Sequence, residues 1–221
     1  LRRRASGGKL PGLEREIRLR AHFAYFLLLA SLTPAAAAAR RPIDATHSRV
    51  IVRVYKTGIL SVFAHDHTIQ APIASGYVDS AQPAAVALQF ETGNLRLLDP
   101  ELPNDTREEI EQTMLGPKVL DASHFPEIVF TSKHATSTGP HAWRVVGDLT
   151  LHGQTHPVTL DVTETGGIYQ GSVEIQQTDF GIKPVQLARG SVKVKDTLLI
   201  LFEIRLQAPA PSNERKTSKI P

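Results

Sequence analysis

From residue 48 to residue 207, apolar and polar side chains alternate with a period of two, and that alternation restricts the fold more than any other feature. Val50, Val52 and Val54 fall on one face of the first run, and their β-branched side chains suit a pleated surface. Leu88 and Phe90 extend a second row from Val86. Further rows contain Val145, Gly147, Leu149 and Leu151, then Val158, Leu160 and Val162, then Val173 and Ile175. The last row, Leu198, Ile200, Phe202, Ile204 and Leu206, is unbroken, with Glu203, Arg205 and Gln207 opposite. Turn signals separate these runs: Gly93-Asn94, Ser137 to Pro140, His152-Gly153, Gly166-Gly167 and Ala188-Arg189-Gly190. The reading is all-β, with about eight antiparallel strands. Such a sheet must cover its apolar face, either against a second sheet or by closing into a barrel.

One segment departs from period two. Asn104 to Pro117 carries acids early and ends in Gly116-Pro117, which predicts one short helix at about residues 105–115. Asp105 with Glu108, or Thr106 with Glu109, has capping-box spacing. Ile110, Met114 and Leu115 form a narrow apolar stripe suited to lying against a barrel or its mouth.

The net charge of +3 divides unevenly. Residues 1–39 hold seven basic residues and two acids, leaving 18 of the 25 basic and 20 of the 22 acidic residues to the remainder. The remainder is therefore slightly acidic, which argues against a nucleic-acid partner. Within residues 1–39, Arg15, Arg18 and Arg20 precede the apolar run Phe23–Ala30, and the small residues Ala35–Ala39 follow. That order predicts a signal peptide, and hence a periplasmic or secreted mature chain; an uncleaved anchor is the alternative. Residues 40–207 are expected to form the barrel domain. Residues 208–221, opening Ala-Pro-Ala-Pro, read as a disordered tail.

The residues carrying chemistry are few. The absence of cysteine removes thiol catalysis and cysteine-ligated metals. No G-x-S-x-G, H-E-x-x-H or phosphate-cradling glycine loop occurs, and His47 and Ser48 would point to opposite faces of a strand. No enzyme and no cofactor are expected. His65-Asp66-His67 is the densest group of potential ligands. On a strand, His65 and His67 share a face, which leaves hydrogen bonding, contact with a ligand head group or a metal site as readings. A third metal ligand would have to come from His47, His124, His134, His141, His152 or His156. The apolar face offers a different function. A closed barrel of eight strands is either filled by its own side chains, and then a scaffold acting through its surface, or it holds one small ligand.

Four segments in order resemble the YceI-like family of polyisoprenoid-binding periplasmic proteins. They are Asp44-Ala45-Thr46-His47-Ser48, Phe125 to Ser132, Gly147 to Leu160, and Thr178-Asp179-Phe180-Gly181-Ile182. The resemblance covers about residues 43–207. It implies a lipocalin-like antiparallel eight-stranded β-barrel whose lumen holds a polyisoprenoid, a quinone or another long-chain amphiphile. It further implies a homodimer and transient contact with membranes. Applied to the alternating rows, it selects Leu88, Phe90, Phe130, Val145, Leu149, Ile175, Ile200 and Phe202 as lumen residues. The chain departs from the family at Ala64-His65-Asp66-His67, where a glycine and a phenylalanine are usual. That departure makes His65 and His67 the candidate head-group contacts.

Overall fold

The computed structural model describes residues 40–57, 66–79, 85–187 and 192–208. The predicted leader over residues 1–39, His65, the turn at residues 188–190 and the tail beyond residue 208 lie outside the described residues. The strands are β1 (Arg40–Pro42), β2 (Arg49–Thr57), β3 (His67–Gln70), β4 (Ile73–Asp79), β5 (Ala85–Glu91), β6 (Arg96–Leu97), β7 (Glu127–Gly139), β8 (Ala142–Leu151), β9 (Gln154–Thr165), β10 (Ile168–Gln176), β11 (Gln186–Leu187) and β12 (Val192–Arg205). The helix α1 (Asn104–Leu115) lies between β6 and β7.

All of the strands belong to one antiparallel sheet in the order β1-β4-β5-β7-β8-β9-β10-β12-β2-β3-β6, with β11 on the edge of β12. The two ends of that order meet because β3 runs through Ala71-Pro72 directly into β4. Three staves are each bent into two pieces, and one of them, residues 67–79, has no counterpart among the rows read from the sequence. β1 and β2 form one stave, β3 and β4 a second, and β5 and β6 a third; β7, β8, β9, β10 and β12 complete eight. The breaks have local causes. Pro72 has no backbone N–H to give a ladder, and residues 92–94 tighten into a 3₁₀ turn. The seam is stitched by Ile43 N donating to Gly76 O at 3.0 Å, Asp44 N to Arg205 O at 2.9 Å and Gln207 N to Pro42 O at 2.9 Å. A bridge between Ile43 and Leu206 joins β1 to the end of β12. Among the described residues every stave pairs with a neighbour on each side, and the ladder joining β9 to β10 is short, running only from Thr165↔Ile168 to Asp161↔Ser172.

The hairpins follow their turn chemistry. His152-Gly153 (φ 50° and 71°) and Gly166-Gly167 (φ 59° and 81°) adopt left-handed backbone at both central positions. This primed geometry matches the right-handed twist of the strands it joins. It gives β8 and β9 a ladder running unbroken from Ala142↔Thr163 to Leu151↔Gln154.

The helix forms where expected, but without a capping box. Pro103 occupies the cap with no side-chain hydrogen bond, and Asp105 Oδ1 accepts from its neighbour Thr106 N at 2.8 Å. Proline supplies a pre-set φ at the entry, and the nearby acid suits the helix dipole. Met114 is buried, and Ile110 and Leu115 pack against the core. Leu97 N donates to Glu111 Oε1 at 2.6 Å, which fastens α1 to β6.

Candidate functional site

The inner faces of the staves surround a cavity of about 730 Å³, within the roughly 300–1,000 Å³ usual for small-molecule sites. Its wall is a set of cross-strand apolar rows. Leu88 stands opposite Phe130, and Phe130 opposite Leu149. On the far side Val173 pairs with Ile200, Ile200 with Val52, and Val52 with Ile69. The structure places Leu88, Phe90, Phe130, Val145, Leu149, Ile175, Ile200 and Phe202 all on this wall. They line it because a period of two keeps alternate side chains on one face, even though the ladders shift register at Ile73/Ser75, Ser132/His134 and Val194/Leu198.

Two aromatic rings would be expected to fill such a space, yet they lie against the wall. A Cβ at Gly147 would come within 2.7 Å of the Phe130 ring, and one at Gly171 within 2.7 Å of the Phe202 ring. Glycine at these positions lets each ring lie on its neighbour's backbone. The hollow is therefore encoded partly by side chains that are missing. Gly147 is visible in the sequence among the apolar positions of β8, but its service to Phe130 is not.

Polar groups on the wall are sparse. Trp143 and Tyr169 meet at 5.9 Å between ring centroids. His67, Glu109, Glu111, Thr113 and Gln177 also face the cavity. His67 is fixed by Asp99, a residue that sequence reasoning missed. Nδ1 of His67 lies 2.6 Å from Asp99 Oδ2, and Asp99 Oδ1 accepts from Thr68 N at 2.9 Å. The Asp99 side chain is 4% exposed and that of His67 24%. Their separation of 32 residues carries no local motif, so only the pairing of β3 with β6 unites them.

Five other histidines are engaged elsewhere, and His134 is exposed on β7. His47 Nδ1 meets Asp44 Oδ2 at 2.8 Å, and the hydrogen bond holds the Asp44 carboxyl below its ordinary range. Asp44 Oδ1 also accepts from the N–H groups of Thr46 and His47, and Ser48 Oγ accepts from Arg205 N at 2.9 Å. The motif at residues 44–48 is thus a clasp on the barrel seam. His124 is held above its ordinary value by its hydrogen bond to Asp121. His141 Nδ1 lies 2.6 Å from Glu164 Oε2; Glu164 is lowered first by the N–H of Gly167 and then by His141. His152 packs against Phe125 at 4.5 Å with the rings tilted by 57° and has Nδ1 3.1 Å from Phe180 O, while His156 meets Phe180 edge-on at 5.2 Å. Among the described residues, no group of three or more His, Asp or Glu side chains stands where it could hold a metal ion. His65, the proposed partner of His67, lies outside them.

Phe125, His152, Gly153, His156 and Phe180 belong to three of the segments that carried the resemblance, and here they meet in one cluster around the buried Phe180. A YceI-like domain matches residues 42–206. The chain belongs to the YceI-like family. Among curated relatives, a UPF0312 protein of Pseudomonas putida (strain W619) is 31% identical over 117 residues, which cover 48% of this chain and 57% of that protein. The chain thus spans just over half the length of such relatives. Solved structures share the YceI-like fold at lower identity. Burkholderia cenocepacia BcnA gives a TM-score of 0.60 at 20% identity, over 75% of this chain and 99% of that one. A polyisoprenoid binding domain from Saccharophagus degradans, implicated in plant cell wall breakdown, gives 0.52 at 15% identity, over 76% and 98%. Among the described residues, no helix of this YceI-like chain is long and apolar enough to cross a membrane.

Proposed function

We propose that this protein holds a polyisoprenoid or another long-chain amphiphile in its barrel lumen, without catalysis. The observation that carries the reading is the cavity of about 730 Å³ bounded by apolar rows from the staves of the barrel. Burial of hydrocarbon supplies about 0.8 kcal/mol per CH₂, so about ten such groups contribute roughly 8 kcal/mol before the costs of ordering the chain. A tail of about twenty such carbons doubles that gross gain, so a net of micromolar scale, about 8 kcal/mol, survives ordering costs of similar size with no catalytic residue. The polyisoprenoid binding domain with the same fold supports the choice of ligand.

The physiological setting proposed with this function is export. Residues 1–39 act as a leader, the barrel domain over residues 40–207 works in the periplasm or outside the cell, and it loads by transient contact with a membrane. A homodimer is the proposed assembly. The test is native mass spectrometry of the protein purified without detergent, followed by solvent extraction. The expected result is a bound long-chain species that extraction removes. An empty protein that takes up no added isoprenoid would overturn the proposal. The variant Ile200→Lys, which puts an ammonium on the wall, is expected to lose the bound species.

A further inference from the structure

The charges on the lumen wall select a class of head group, a step that rests on the lumen reading above. Among the described residues lining the cavity, the ionisable groups are His67, Asp79, Glu109, Glu111 and Tyr169, with no Lys or Arg. Asp79 is ion-paired with Arg40 at 3.5 Å, and Glu111 accepts from Leu97 N. An apolar, weakly polarisable hollow penalises any charge brought into it unless a counter-charge is waiting. Here an entering phosphate or carboxylate finds carboxylates, so the wall opposes it twice, by desolvation and by like charge.

His67 supplies the opposite quality. An ionised Asp99 carboxylate can only accept, so with Thr68 N on Oδ1 and the imidazole on Oδ2 the proton between His67 and Asp99 is assigned to Nδ1. The ring is thereby locked in place, and in its neutral form the lone pair is left on Nε2. Nε2 has no hydrogen-bond partner among the described residues, while the side chain faces the cavity. A nitrogen held in this way accepts from a hydroxyl, a weak polar contact in an otherwise greasy enclosure. β6 leads directly into Asp99, and the bond from Leu97 to Glu111 brings α1 and its carboxylates to the same end of the barrel.

We infer that the lumen takes amphiphiles with an uncharged, hydroxyl-bearing head in preference to prenyl phosphates and fatty-acid anions, and that His67, positioned by Asp99, is the head-group contact. The test compares geranylgeraniol, geranylgeranyl monophosphate and the headless isoprenoid squalene by displacement of a fluorescent lipid from the full chain at neutral pH. The alcohol is expected to bind at least about tenfold more tightly than the phosphate, the minimum that an unpaired buried charge implies. His67→Asn retains a donor for Asp99 but withdraws the ring nitrogen from the lumen. It should weaken the alcohol by about three- to tenfold, the worth of one hydrogen bond, and leave squalene unchanged. Glu109→Lys, at an exposed helix position on the cavity rim, should improve binding of the phosphate. Equal or tighter binding of the phosphate by the wild type overturns the inference while leaving the lumen reading intact. So does a folded His67→Asn protein with undiminished preference for the alcohol. If none of the three probes binds, the lumen reading fails and this inference fails with it.

Discussion

The lumen wall and the motif clusters divide the work of this protein between them. The clusters at Asp44-His47-Ser48 and around Phe180 contain the residues that make the family recognisable, and their groups are nearly all satisfied. Phe180 is 1% exposed, Thr92 is also 1% exposed, and Thr92 Oγ1 donates to Phe125 O at 2.7 Å. The wall carries no comparable motif; it has interchangeable aliphatic residues and one fixed polar pair. Geometry needs particular residues at particular places, because a turn, a clasp or a ring stacked on a backbone tolerates few substitutes. A hydrocarbon lining needs only parity and volume. The most recognisable segments therefore mark how the barrel is built, and the choice of head group falls, as proposed above, to His67, outside them.

That division gives an ordered set of tests. Removal of a ring from the cluster should have the largest effect on stability. Phe180→Ala is expected to cost about 3–5 kcal/mol in urea unfolding, because a fully enclosed aromatic leaves a void its neighbours cannot close. A loss below about 1 kcal/mol would erase the distinction between cluster and wall. The next test joins the two regions. Gly147→Ala places a methyl group 2.6 Å from the Thr131 carbonyl and 2.7 Å from the Phe130 ring and should cost about 1–3 kcal/mol. It should also drive the ring into the lumen and shrink the space for ligand, so binding of squalene should fall in the same variant. Unchanged binding would show that the ring has another place to go.

The smallest effect is expected at the clasp. The Asp44 carboxyl sits below its ordinary value of 3.8, first because of the His47 side-chain hydrogen bond. A carboxylate lowered on folding stabilises the protein above the unfolded value, and that contribution disappears as pH falls through the folded one. Asp44→Asn should therefore flatten the dependence of melting temperature on pH below about 3.8 and leave its slope near neutrality unaltered. Both groups are on the surface, so the change should be slight. A change in slope at neutral pH would mean that Asp44 acts through another partner.

Much of the architecture was legible because it depends on local regularities. The parity of Ile200 and Phe202 follows from period two alone, and the turns at residues 152–153 and 166–167 are identified by their glycines. The bent staves were not legible: residues 67–79 show no sustained alternation on either side of Pro72, and β6 is two residues long and has no pattern of its own. The site was legible only as a face. That the face surrounds a hollow depends on Phe130 and Phe202 lying over glycines in neighbouring strands, a relation between distant residues. Asp99 was missed for the same reason: nothing near it in the chain points to His67. The histidines first weighed as metal ligands became separated once the sheet closed, with His47 on the seam and His152 and His156 packed around Phe180.

The central claim is an open hollow that accommodates a greasy tail, and a crystal structure of protein purified without delipidation tests it most directly. The account predicts continuous elongated density along the barrel axis, running between Leu88 on one side and Ile200 on the other, with its polar end near His67. A barrel with Phe130 and Phe202 turned inward, their rings filling the centre and leaving no passage to solvent, would contradict it.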